Sequence, residues 1–148
     1  KIMEALSAKK QQELHKLMTF SRTPVGKLMT SEYFSIESHQ TVKEILTSIK
    51  LQTADYSSLG PIYVLNREDQ LVGVFNVHEL LMQNADTPAY KFMITEPIVV
   101  LLTTPIEVVI YKLLKYNIPA LPIINREKHM LGIITIDDVS ELLLKKIQ

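Results

Sequence analysis

Residues 121–139 read Leu121-Pro122-Ile123-Ile124-Asn125-Arg126-Glu127-Lys128-His129-Met130-Leu131-Gly132-Ile133-Ile134-Thr135-Ile136-Asp137-Asp138-Val139. Two apolar, β-rich runs, Leu121 to Ile124 and Met130 to Ile134, flank a short polar break, the pattern of a hairpin with a loop of about five residues. The pattern has already occurred once in the chain. Ile62 to Leu65 and Leu71 to Phe75 flank Asn66-Arg67-Glu68, and the second run carries its glycine, Gly73, at the place of Gly132. Both pairs of runs are almost continuously apolar, which predicts strands covered on both faces.

The duplication extends upstream. Lys27-Leu28-Met29 recurs as Lys91-Phe92-Met93, and Val42, Ile45, Leu46 and Ile49 recur as Ile106, Val109, Ile110 and Leu113, at a constant spacing of 64. The hairpins recur at a spacing of 59, so the first copy carries an insertion of five residues, placed in the loop-like stretch from Thr53 to Pro61. The i, i+3, i+4, i+7 spacing predicts a helix in each copy. Thr41 and Glu44 have capping-box spacing at the start of the first, and Thr104 and Glu107 do the same before the second, with Pro105 at its first position. A short strand is expected before each helix, around Tyr33 to Ile36 and Pro97 to Leu101. A second helix should follow each hairpin, through Leu80, Leu81 and Met82 and through Val139, Leu142 and Leu143. The order per copy is strand, helix, strand, strand, helix. Residues 1–20 stand outside the repeat as a helix capped by Ser7, with Leu14, Leu17 and Met18 on one face, and Pro24 marks the boundary.

Composition narrows the function classes. The chain of 148 residues is 47% hydrophobic and 22% charged, which suits a globular fold. Sixteen basic residues balance sixteen acidic ones, so no charge excess invites nucleic acid. The absence of Cys removes disulfides, thiolate catalysis and Cys-based metal sites, and agrees with a reducing compartment. The longest apolar run, Ile98 to Leu102, is far short of the roughly 20 residues a membrane span needs. His15, His39, His78 and His129 have no metal-ligand spacing and read as surface or cap residues, and no catalytic motif is visible. Tyr90, Phe92, Tyr111 and Tyr116 are expected to pack between the copies.

A duplicated strand-helix-strand-strand-helix unit, with Leu131-Gly132-Ile133-Ile134-Thr135-Ile136-Asp137-Asp138-Val139 and the weaker Val72-Gly73-Val74-Phe75-Asn76-Val77-His78-Glu79-Leu80, resembles a tandem CBS-domain pair. The resemblance implies an α/β fold of two βαββα repeats in pseudo-two-fold packing, preceded by an N-terminal helical segment. Its parts would be 1–24, the end of a truncated helical domain and linker, then 25–84 and 85–148, the two CBS domains. The approach to the first repeat, with Gly26, Leu28, Met29 and Thr30, is similar to the Gly-x-Leu-Met-Thr junction of MgtE-type magnesium transporters. That similarity implies a non-enzymatic regulatory module on the cytoplasmic face of the cell membrane, a homodimer through its CBS domains, whose transmembrane pore domain would follow residue 148. An adenine-nucleotide sensor attached to another transporter or enzyme is the alternative.

The resemblance also implies site residues. Glu107, Asp138 and Glu141 match acidic positions that help MgtE-type transporters bind Mg²⁺, with Asp137 beside them, while Pro105 and Asn117 stand where that family can carry further carboxylates. Thr135 and Asp138 match places where CBS domains hold the ribose or phosphate of ATP or AMP, and Asn76 and Glu79 stand at the equivalent places of the first copy. The residues also admit plainer readings. Thr135-Ile136-Asp137-Asp138 is a helix cap in its own right, and a capped helix start still favours an anion. Asp138 and Glu141 share one side of a helix, as a solvated surface would. Mg²⁺ keeps several waters and takes one or two direct carboxylates, so weak exposed sites suit a sensor. Two carboxylates about 4 Å apart repel by roughly 4 kcal/mol at an effective dielectric of 20, and a dication between them reverses the sign.

Overall fold

A computed structural model describes residues 25–52 and 59–140. The expected helix within residues 1–20, most of the inserted loop, and Glu141, Leu142 and Leu143 lie outside the described residues. The elements are α1 (Val25–Leu28), β1 (Phe34–Glu37), α2 (Val42–Gln52), β2 (Ile62–Leu65), β3 (Leu71–Phe75), a 3₁₀ helix (Val77–Met82), a short 3₁₀ turn (Ala89–Lys91), β4 (Ile94–Thr95), β5 (Val100–Leu101), α3 (Ile106–Lys115), β6 (Ala120–Ile124) and β7 (Met130–Thr135). Residues 136–140 are α-helical. The chain forms two compact units. One contains residues 25–31, 99–125 and 131–140, and the other residues 32–52, 59–98 and 126–130.

The second of these units holds a four-stranded sheet in the order β1-β2-β3-β4. Strands β1 and β2 run parallel, because α2 crosses over between them, and β2 to β3 and β3 to β4 are antiparallel. The hairpin strands β2 and β3 form over the two predicted runs. Strand β2 is buried at Ile62, Tyr63 and Val64, as its continuous apolar run requires, whereas β3 alternates. Val42, Ile45 and Ile49 of α2 pack with Phe34, Ile36, Ile62, Val64 and Phe75 into one core. Leu46 lies at the margin of that helix face and stays 38% exposed. Helix α2 starts in the predicted capping box: the Thr41 N–H donates to Glu44 Oε1 at 3.0 Å, and the Glu44 N–H to Thr41 Oγ1 at 3.3 Å. Its next two N–H groups, of Val42 and Lys43, donate to the Thr87 and Ala85 carbonyls.

The first unit holds a three-stranded sheet in the order β5-β6-β7, with β5 parallel to β6. All five residues of β6 are buried, and α3 contributes Ile106, Val109, Ile110 and Leu113 to the core. Here the capping expectation is corrected. Pro105 is the N-cap and makes no side-chain cap, while Thr104 Oγ1 accepts from the Leu101 N–H at 2.9 Å. At the spacing of 64 the residue aligned with Thr41 is Pro105, which has no hydroxyl, and Thr104 sits one place too early. The strand expected over Pro97 to Leu101 shortens to β5. The second helix of the first copy is a 3₁₀ helix that buries Leu80 and leaves Leu81 and Met82 exposed, and Asn76 at its start supplies no side-chain cap.

Strand β4 was not foreseen, and it follows from the repeat. In one unit Val74 pairs with Ile94, and in the other Ile133 pairs with Thr30, positions related by the spacings of 59 and 64. The segment leading into the second copy therefore edges the sheet of the first, and the segment leading into the first copy edges the sheet of the second. Glycine makes both approaches possible. A Cβ at Gly73 would lie 2.5 Å from Met93 Sδ, and one at Gly132 would lie 2.7 Å from the Thr30 carbonyl oxygen.

Two further features bear on stability. The Tyr63 hydroxyl is buried and has no hydrogen-bond partner among the described residues, so burial pushes the phenol's pKa up. Burial would also raise Glu37, but hydrogen bonds from the His39 N–H, the His39 ring and Arg67 outweigh it and hold the carboxyl below its ordinary value of 4.5. Glu44 is held below that value by its bonds from Thr41.

Three outcomes follow for urea unfolding. Gly132→Ala should cost more than Gly73→Ala, within about 1–3 kcal/mol, because a carbonyl oxygen cannot yield as a thioether can; equal losses would contradict this. Tyr63→Phe should raise stability by about 1 kcal/mol by removing an unmet hydroxyl, and a loss of that size would reveal a partner. Glu37 and Glu44 have folded pKa values below the unfolded ones, so their contribution is present above about pH 4.5 and is lost as pH falls through the lower, folded values. A Glu37→Gln, Glu44→Gln variant should lose less stability on acidification from pH 6 than the parent does.

Candidate functional site

The residues nominated on the second copy cluster where β7 passes into the following helix. Thr135 closes the strand, and Asp138 lies in the helix's first turn. Asp138 Oδ2 accepts from both the Thr135 N–H and the Thr135 hydroxyl at 2.9 Å, and the Asp138 N–H donates to Thr135 Oγ1 at 3.3 Å. This is a closed capping box, so one oxygen of Asp138 and the hydroxyl of Thr135 are engaged locally. The Ile136 N–H donates to the Pro119 carbonyl at 3.0 Å, which removes another donor from the helix start. Asp137 is exposed and Asp138 half-buried.

Glu107 stands in the first turn of α3, whose start lacks a side-chain cap. Its Oε2 is buried without a hydrogen-bond partner among the described residues. A carboxylate oxygen in that condition is costly unless a cation or a donor reaches it. Among the described residues no group of three or more His, Asp or Glu side chains is arranged to hold a metal ion. Glu141 lies outside them. Asn117, where further acid was considered, has φ of 50°. That left-handed conformation favours Asn and accounts for the residue without a ligand.

The equivalent positions of the first copy are built differently. Asn76 is exposed and accepts the Glu79 N–H through its backbone carbonyl at 2.9 Å, while Glu79 Oε1 accepts from Gln83 Nε2 at 3.3 Å. No capping box forms there, in keeping with the 3₁₀ geometry.

Of the aromatic residues, Phe92 packs edge-on against Phe75 at 5.0 Å. Tyr90 and Tyr116 are exposed, a departure from the packing expected of them, because each has a local partner: Tyr90 lies against the His39 ring at 5.4 Å, and Lys115 Nζ sits 5.4 Å from the Tyr116 ring. Two groupings escaped the sequence reading. One is the buried hydroxyl of Tyr63, whose only signal is a tyrosine inside an otherwise aliphatic strand. The other is the cluster of Glu37, His39 and Arg67, where Arg67 Nε and His39 Nδ1 each approach Glu37 Oε1 at 3.2 Å. Arg67 is 30 residues away in sequence, so no local spacing announces it.

Comparison with known proteins places these features. The chain is 27% identical over 143 residues to the magnesium transporter MgtE of Thermus thermophilus, a match covering 97% of this chain and 32% of that protein. It thus spans about a third of the length of the curated relatives it matches. The crystal structure of the soluble part of a magnesium transporter superposes with a TM-score of 0.77 at 27% identity, over 99% of this chain and 57% of that one. The cytosolic domain of the Mg²⁺ channel MgtE in complex with ATP superposes with a TM-score of 0.76 at 26% identity, over 95% of this chain and 56% of that one. The CBS domain family matches residues 25–85 and 89–145. Two copies of that domain account for the duplicated hairpins, the paired helices and the glycines at equivalent strand positions, and the chain belongs to the CBS domain family.

Proposed function

We propose that this chain is the regulatory CBS-domain pair of a magnesium transporter of the MgtE kind and that it responds to Mg²⁺ without catalysing a reaction. The observation that carries this reading is the extent of the similarity. The CBS domains account for residues 25–85 and 89–145, yet the match to MgtE covers 97% of the chain and so includes most of residues 1–24. A CBS pair attached to some unrelated protein has no reason to share that segment.

The acidic residues then have a role consistent with their surroundings. Glu107 offers a buried oxygen without a partner among the described residues, and Asp137 and Asp138 lie in the first turn of another helix of the same unit. With no ready-made cluster among the described residues, the site is completed by Glu141 or by acids of a second copy in a homodimer. Carboxylates approaching one another repel, and Mg²⁺ between them supplies the attraction that favours the closed arrangement. A coupling of about 1–3 kcal/mol to a transmembrane pore is enough to bias its opening. In this reading the module works on the cytoplasmic face of the membrane, and its repeats are the domains 25–84 and 85–148.

A second reading is favoured by the ATP held by the MgtE cytosolic domain to which this chain is similar. Thr135 and Asp138, and at the first copy Asn76 and Glu79, are the residues for an adenine nucleotide, although the closed box at Thr135 must share its groups with such a ligand.

Calorimetry separates the two. Titration with Mg²⁺ should give saturable heat, and Glu107→Gln should abolish it without lowering the urea midpoint, since Glu107 takes no part in a cap and the change removes a buried charge that lacks a partner among the described residues. Asp138→Asn with Glu141→Gln should abolish the contraction that Mg²⁺ causes in small-angle scattering. Heat with ATP or AMP and none with Mg²⁺ would replace the ion sensor by the nucleotide sensor.

A further inference from the structure

We propose that Met93 is an oxidation-sensitive latch, in which the thioether laid over Gly73 holds edge strand β4 on β3 and its conversion to the sulfoxide by hydrogen peroxide releases that edge. A Cβ placed on Gly73 would meet Met93 Sδ at 2.5 Å, Cγ at 2.8 Å and Cβ at 3.0 Å, so these atoms occupy the space that the glycine leaves open. The same side chain packs against the core of its unit, beside Phe92. Phe92, just before the strand, packs on Phe75 as well. Strand β4 has two residues, both exposed, and meets β3 through the pairs Gly73 with Thr95 and Val74 with Ile94. Directly after it, Glu96 turns the chain away with φ of 54°.

Met93 is half-buried and so is not sealed into the core. A sulfur lone pair attacks one peroxide oxygen, the O–O bond breaks, an S–O bond forms and water leaves; sulfur loses two electrons and the peroxide gains them. The product is a polar, chiral group with an added oxygen. The oxygen adds on the open face of the sulfur, and the polar S–O group then belongs to a side chain seated on glycine backbone and apolar core. Hydration of that group favours the side chain leaving the glycine. The counterpart in the other unit differs, because a Cβ on Gly132 would meet the Thr30 carbonyl oxygen first, at 2.7 Å, and Met29 Sδ only at 3.1 Å. Met82, 76% exposed on the 3₁₀ helix, is an internal control that oxidises readily without holding any strand.

The test treats the chain with graded hydrogen peroxide, locates each sulfoxide by peptide mass spectrometry, and follows amide hydrogen exchange over residues 93–95 and 72–75. Once Met93 is oxidised, exchange there should rise by about tenfold or more, and treatment with methionine sulfoxide reductase should return it to the starting rate. In Met93→Leu, which keeps an apolar side chain on the glycine, the same peroxide treatment should oxidise Met82 and leave exchange unchanged. The proposal is overturned if Met93 sulfoxide forms with unaltered exchange, if Met93 stays unoxidised after Met82 is fully converted, or if Met93→Leu responds to peroxide as the parent does. Should Met93→Leu not fold, the parent's reversal by the reductase decides the matter alone.

Discussion

Each unit is governed by a central strand that must be hidden from water on both faces. Ile62, Tyr63 and Val64 of β2 are at most 1% exposed, and all five residues of β6 are buried. A pleated strand sends successive side chains to opposite sides, so one covering helix cannot bury such a run. The crossover helix covers one side, which is why α2 and α3 carry their apolar residues on one stripe. The demand for cover on the other side keeps Tyr63 out of water and leaves its hydroxyl without a partner among the described residues.

The same demand shapes the sheet edges. A glycine in a strand interior weakens the strand unless another backbone or side chain needs the space it leaves. At Gly73 and Gly132 that space is taken by Met93 and by Met29 with Thr30. Each sheet gains an edge from the segment that leads into the opposite copy.

The nominated site follows from how the two copies diverged around this shared plan. In the second copy Thr135 and Asp138 close a reciprocal cap and a regular helix follows. In the first copy Asn76 and Glu79 do not, and the chain turns through a 3₁₀ helix. The reverse holds at the other helix of each copy, where Thr41 and Glu44 close a box and Pro105 cannot. Glu107 is left at an uncapped helix start with a buried oxygen that has no hydrogen-bond partner among the described residues. A buried carboxylate oxygen without a partner carries a cost that a row of solvated surface acids does not.

The sequence by itself determined the duplication, the hairpin strands, the apolar stripe of each helix and the box at Thr41, because each of these depends on residues a few positions apart and on periods of 2 or 3.6. It also carried the family resemblance, since the Gly-apolar-apolar pattern before a helix start is local. What it could not determine depends on which distant segments meet. The pairing of Ile94 with Val74 and of Thr30 with Ile133, the seating of methionines on glycines, and the bridge from Arg67 to Glu37 join residues with no common local period. Cap geometry fell between the two: Thr104 and Glu107 have the right spacing, and only the three-dimensional start of α3, one residue later, decided that the hydroxyl would serve Leu101 instead. Whether a polar atom is paired or orphaned, as at Tyr63 and Glu107, is a property of burial, and burial is decided only when the chain has packed.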